Sequence, residues 1–142
     1  MIRNLMTALL LLTTVLTASL SIADSSTSKA LLEKAYDVRQ LVRSGVNYPN
    51  YSKLITEVNL ALGRFDREHK VKSDADRISL SLSDTLIRDA ATAYIEAGIE
   101  WERKVNGEIF ANENSIQRQW EFAEGRLEKL EQLGGKKGRA KK

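Results

Sequence analysis

Apolar side chains recur three and four positions apart through most of this 142-residue chain, the spacing of one face of an α-helix. Leu31, Ala35, Val38 and Val42 form such a stripe, widened by Leu32 and Leu41. The capping side chains of Asp24-Ser-Ser-Thr-Ser28 precede it, and Gly45 follows, a residue that enters the left-handed conformation without steric cost. A first helix is predicted over 29–44. Tyr51, Leu54, Ile55, Val58, Leu62 and Phe65 set the next stripe, over about 50–69, with Lys53, Glu57, Arg64 and Glu68 on the other side. Pro49, the only proline, suits the entry to that helix, and 46–51 reads as a connector.

The stretch 70–84 carries mixed signals. Ser73-Asp-Ala-Asp76 has the capping serine and first-turn acids of a helix start. Ile78-Ser-Leu-Ser-Leu-Ser83 instead alternates with the period of a strand. A lone short strand has no partner here, so the prediction is helix, with a restart at Ser83 as the alternative to an unbroken run. From 84 to 105 two stripes run together: Leu86, Ala90, Ala93, Ala97 and Trp101, and Leu80, Ile87, Tyr94 and Trp101. A helix apolar on so wide a face belongs at the centre of its bundle. Asn106-Gly107 ends it. The last helix, from Glu108 or Ser115 to Leu133, carries Ile116, Trp120, Ala123, Leu127 and Leu130 at alternating four and three. Gly134-Gly135 is its expected stop. The fold expectation is therefore all-α: one up-and-down bundle of about four helices over 24–133, with coiled-coil-like spacing in the last.

Both ends depart from that pattern. Arg3, the apolar run from Leu5 to Leu20 and Ser21-Ile22-Ala23 read as a secretory signal peptide, 1–23, cleaved near Ala23. The apolar run is short for a bilayer-spanning helix, and no later stretch is long and apolar enough to be one. The expected product is exported, periplasmic or secreted. At the other end, 134–142 holds Lys136, Lys137, Arg139, Lys141 and Lys142 and no acid, and is expected to be disordered. The net charge of +3 is thus a property of the tail, because the body is net acidic. A basic nucleic-acid-binding face does not follow from it. The chain has no cysteine, so neither a disulfide nor a lipid-modified cysteine is available. That favours a bacterial exported protein held together by helix packing.

Gly45-Val46-Asn47-Tyr48 followed by Tyr51 resembles a connector of small exported all-helical bacterial proteins that are themselves uncharacterised. In those a glycine closes one helix and two tyrosines precede a long amphipathic one. The resemblance spans the first three helices. It implies export and an all-helical fold, and brings no activity or site residue with it.

Candidate chemistry is sparse. His69 is the only histidine, placed between charged neighbours at a helix end, where the expectation is a solvated surface side chain. Metal sites need several converging ligands, and both methionines lie in the leader, so neither a metal nor a haem cofactor is expected. No phosphate loop or nucleophile elbow occurs, and the carboxylates sit off the apolar stripes. The expectation is a non-enzymatic protein. Trp101 and Trp120 are expected in the core, packing near one another, with a partner-binding anchor as the alternative. Tyr48 and Tyr51 are expected to plug one end of the bundle, with a binding notch as the alternative. The tail is either a solubilising end or an electrostatic tether to anionic membrane surfaces or polyanions. It lacks the interleaved aromatics of a specific nucleic-acid module. The leading expectation is an envelope protein acting through contacts with a protein partner of unspecified identity. The runner-up is a polyanion, membrane-surface or small-ligand binder, and the oligomeric state is open.

Overall fold

The computed structural model describes residues 25–108 and 112–139. The expected leader, 1–23, and Lys141 and Lys142 lie outside the described residues. Within them the secondary structure is helical, with no strand: α1 (Ser26–Ser44), α2 (Tyr48–Glu68), a 3-10 helix (Asp74–Ser79), α3 (Leu82–Val105) and α4 (Glu113–Arg139). None of these helices is long and apolar enough to cross a membrane.

Local chemistry sets the helix boundaries. The Ser25 hydroxyl accepts from the Ser28 N–H at 3.1 Å and starts α1; Gly45, at φ 87°, ends it. The Asn47 side chain accepts from the Asn50 N–H at 3.1 Å, so α2 begins at Tyr48 with Pro49 in its first turn. The connector is therefore only Gly45–Asn47, and Tyr48 and Tyr51 lie on the helix rather than on a loop. After α2 the chain turns through Lys70, at φ 56°, with the Val71 N–H bonded back to the Asp66 carbonyl at 2.8 Å.

The ambiguous stretch resolves into a 3-10 helix and a break. The Asp76 carboxylate accepts from the backbone N–H groups of Lys72 and Ser73, at 2.8 and 2.9 Å, and anchors that short helix. These two bonds hold its carboxyl below the ordinary aspartate range. Leu80 is extended, and Ser81 then caps α3 by accepting from the Asp84 N–H at 3.1 Å. The restart comes one residue earlier than the Ser83 reading. The alternation of 78–83 does not make one buried face, since Leu80 packs against the core while Ile78 is 91% exposed. Asn106 and Gly107, at φ 76°, close α3 as expected. The expected stop at Gly134-Gly135 is overturned: α4 continues to Arg139. Glycine costs a helix about 1 kcal/mol, which disfavours continuation without forbidding it.

One apolar cluster joins the helices. Leu31, Leu32, Ala35 and Val38 from α1 meet Tyr51, Val58 and Phe65 from α2. Leu86, Ile87, Ala90, Ala91, Tyr94 and Ala97 from α3, and Ala123, Leu127 and Leu130 from α4, complete it. Helix α3 packs against each of the other three, the central position its double stripe predicts. Small residues allow close approach: a Cβ on Gly98 would lie 3.2 Å from Ile55 Cγ2 on α2. Full burial of each large side chain contributes about 1.5–3 kcal/mol, so this cluster is the principal source of stability.

Candidate functional site

The four aromatic residues singled out in the sequence come together. Tyr51 lies 5.4 Å from Trp101 and 5.7 Å from Trp120 between ring centroids; the two tryptophans are 5.7 Å apart, edge to face. Tyr48 lies 5.8 Å from Trp101. Tyr51 is fully buried, and its hydroxyl is used internally. It donates to the Tyr94 carbonyl at 2.7 Å and accepts from Trp120 Nε1 at 3.0 Å. Burial pushes its phenol well above the ordinary value. Tyr51 thus ties α2, α3 and α4 together and has no surface left for a partner. Tyr48, Trp101 and Trp120 are half-buried.

A second tie joins α1 to α4. Arg39, itself buried, binds Glu124 through Nε and Nη2, both at 2.9 Å, and also pairs with Glu131. Burial works against its charge, but the hydrogen bonds to the two carboxylates outweigh it and raise its pKa. Arg43 also pairs with Glu124. Burial tends to raise the Glu124 pKa, yet the two guanidiniums hold it below its ordinary value.

His69 departs from the solvated surface reading. Its ring stacks on Phe65 at 4.1 Å, Nδ1 lies 2.9 Å from the Phe65 carbonyl, and Nε2 is 3.4 Å from Asp84 Oδ2. The α2 C-terminus meets the starts of α1 and α3 here, which sequence spacing does not reveal. Asp84 is buried and accepts from the Ser28 hydroxyl at 2.6 Å and the Ser81 hydroxyl at 3.0 Å. Ser28 therefore donates to the acid and not to the imidazole, so the trio lacks the serine-to-histidine contact that activates a nucleophile. It is a polar clasp in which the buried carboxylate has its donors.

The tail residues Lys136, Lys137 and Arg139 fall on the C-terminal turns of α4, with side chains outside the described residues. Apolar contacts of α4 with the core extend no further than Leu133 among the described residues.

A furrow of about 560 Å³ is a feature that the sequence reading missed. The 3-10 helix, α3 and α4 line it, with four arginines, Arg77, Arg88, Arg118 and Arg126, against Asp74, Asp89 and Glu96. Along α4, Arg118, Phe122 and Arg126 stand four apart and share one face; Arg88, Thr92 and Glu96 do the same on α3. Arg88 is committed to Asp66, with bonds of 2.9 and 3.2 Å that raise its pKa. Arg77 and Arg126 share Asp89, Arg77 in direct contact and Arg126 Nε at 3.7 Å. Arg88 Nη1 also lies 3.9 Å from exposed Asp74, so the charges at that end balance and Arg126 is the loosely held member. Arg126 lies over the Phe122 ring, 4.4 Å from its centroid, and Phe122 is 45% exposed. Arg118 has no ion-pair or hydrogen-bond partner among the described residues. Arg77 Nε and Thr92 Oγ1 are buried atoms without a hydrogen-bond partner among the described residues. The i, i+4, i+8 spacing of Arg118, Phe122 and Arg126 was the sequence signal for this site; a solvated helix face carries the same spacing.

Among the described residues no group of three or more histidine, cysteine, aspartate or glutamate side chains could hold a metal ion. Comparisons with protein-family models, curated proteins and solved structures found no match to this chain.

Proposed function

We propose that this chain is an exported, non-enzymatic bacterial envelope protein that acts by binding another protein. The leader-like 1–23 segment supports export, and the helices are read as an up-and-down bundle that serves as a rigid scaffold. One observation carries the binding reading: the α3–α4 furrow, where arginines flank a half-exposed phenylalanine. Arginine and aromatic side chains dominate the energetics of protein interfaces, because they combine large contact area with directed donors. Tyr48, Trp101 and Trp120, half-buried around Tyr51 and outside the furrow lining, are a separate candidate contact.

Two measurements test this. N-terminal sequencing of protein recovered from the periplasmic fraction should begin at Asp24; an intact N-terminus in the cytoplasm refutes export. A photo-crosslinking residue at position 122 should form a discrete protein adduct in cells, whereas one at exposed Leu60 on α2 should not. No adduct at 122, or the same adduct from both positions, refutes the assignment of the surface.

The basic tail supports a second reading, electrostatic contact with an anionic membrane surface or polyanion, because five cations occur in 134–142 without an acid. Vesicle association that falls with salt and is lost on deleting 134–142 is the expected result. Association unchanged by either treatment removes the tail from the mechanism.

A further inference from the structure

We infer that the α3–α4 furrow receives an extended acidic segment of a partner protein, with two carboxylate side chains four residues apart flanking an apolar one. This rests on the protein-binding reading above and specifies the partner's chemistry. The spacing of its arginines, their unused donors and the exposed phenylalanine between them each point to it. Arg118 and Arg126 are eight residues apart on α4, a separation of about 12 Å along the axis, with Phe122 midway. In an extended strand, residues i, i+2 and i+4 project to one side and span about 13 Å. An acidic–x–apolar–x–acidic segment therefore matches an arginine–phenylalanine–arginine row in both length and order.

Charge complements this geometry. At one end Arg77 is in direct contact with Asp89 and Arg126 reaches that carboxylate only at 3.7 Å, so the Arg126 guanidinium has no hydrogen-bond acceptor among the described residues. At the other end Arg118 is unpaired among the described residues, with the exposed Glu96 lining the same furrow. Phe122, with Arg126 against its ring, offers the apolar contact between the two. A single inorganic anion would use one end only. A uniformly acidic segment would leave Phe122 without a counterpart.

The test is fluorescence anisotropy of the full chain with a labelled Ser-Glu-Ser-Leu-Ser-Glu-Ser peptide at low salt. Arg118→Glu should weaken binding by at least about tenfold, while Arg64→Glu, on the exposed face of α2, should leave it within about twofold. A peptide of the same composition with adjacent glutamates should bind at least about fivefold more weakly, because it cannot reach both arginines. The lysine counterpart of the first peptide should bind Arg118→Glu better than the parent protein. Because Arg118 is exposed, these variants should keep the parent's helical circular-dichroism spectrum. Equal binding of the two glutamate peptides, no effect of Arg118→Glu, or full displacement by an equal concentration of inorganic phosphate overturns the inference. If the position-122 adduct forms in cells and these peptide results fail, the acidic-segment inference falls alone. If the adduct is also absent, the protein-binding reading falls with it.

Discussion

Replacing Tyr51 with phenylalanine removes one oxygen from the meeting point of α2, α3 and α4. The ring stays against Trp101 and Trp120, so packing is nearly unchanged and the effect isolates the hydroxyl. Two hydrogen bonds are lost, the 2.7 Å donation to the Tyr94 carbonyl and the 3.0 Å acceptance from Trp120 Nε1. The carbonyl, midway along α3, keeps its helical donor, so its loss is partial. The indole N–H loses its acceptor in a half-buried position that water reaches incompletely. Leaving a buried donor unsatisfied costs about 1–3 kcal/mol, and partial exposure of Trp120 places the expected cost at about 2 kcal/mol. For a domain of roughly a hundred residues this lowers Tm by about 8 °C. Thermal melting followed by circular dichroism at neutral pH measures it, with Tyr48→Phe as the control, because no hydrogen bond holds that hydroxyl among the described residues. The pH dependence adds a second check. Tyr51 is held neutral, its pKa raised by burial above the ordinary 10.0. Its contribution is therefore fully present below pH 10 and is lost as pH rises toward the higher folded value. The parent protein should lose more stability on that alkaline limb than Tyr51→Phe does. A neutral-pH shift below about 2 °C, no larger than that of Tyr48→Phe, refutes the assigned role.

Three further outcomes are expected. Arg39→Met should lower Tm at pH 7 by about 8 °C or more, because it leaves Glu124 and Glu131 partly buried with less compensation. Glu124 has a depressed folded pKa, so its pairing is present above its ordinary value of 4.5 and is lost as pH falls through the lower folded value. The gap between parent and Arg39→Met should accordingly narrow on acidification, and a constant gap in a Tm-against-pH series refutes this. Gly125→Ala should stabilise the protein by about 0.5–1 kcal/mol in a denaturant titration, since the position is helical and nothing lies within 4 Å of the added Cβ. Gly98→Leu should instead destabilise by about 1–3 kcal/mol, because even a Cβ there meets Ile55 at 3.2 Å. Similar behaviour of the two glycine variants would contradict the packing of α2 on α3.

The sequence carried the helices further than it carried the sites. Apolar spacing located α1 to α4, and the widest stripe correctly marked α3 as the helix that touches the other three. Gly45, Asn106 and Gly107 marked ends, because backbone conformation at such positions is a local property. The errors lie where local preferences are weak or compete. Residues 73–83 hold a capping serine, first-turn acids and an alternating run, and the structure satisfies the first two in a short 3-10 helix. Gly134-Gly135 disfavours a helix by an amount too small to force an end there.

Periodicity, caps and breakers determined that this chain is helical, where most helices begin and stop, and which faces turn inward. Tertiary structure alone decided that Tyr51 is sealed while Tyr48 is not, and that His69 lies against buried Asp84. It also decided that Arg77, Arg88, Arg118 and Arg126 line one furrow. The physical reason is range. A cap or an apolar stripe is set by residues within one or two helical turns, whereas Arg77 and Arg126 meet at Asp89 only after three separate elements have packed.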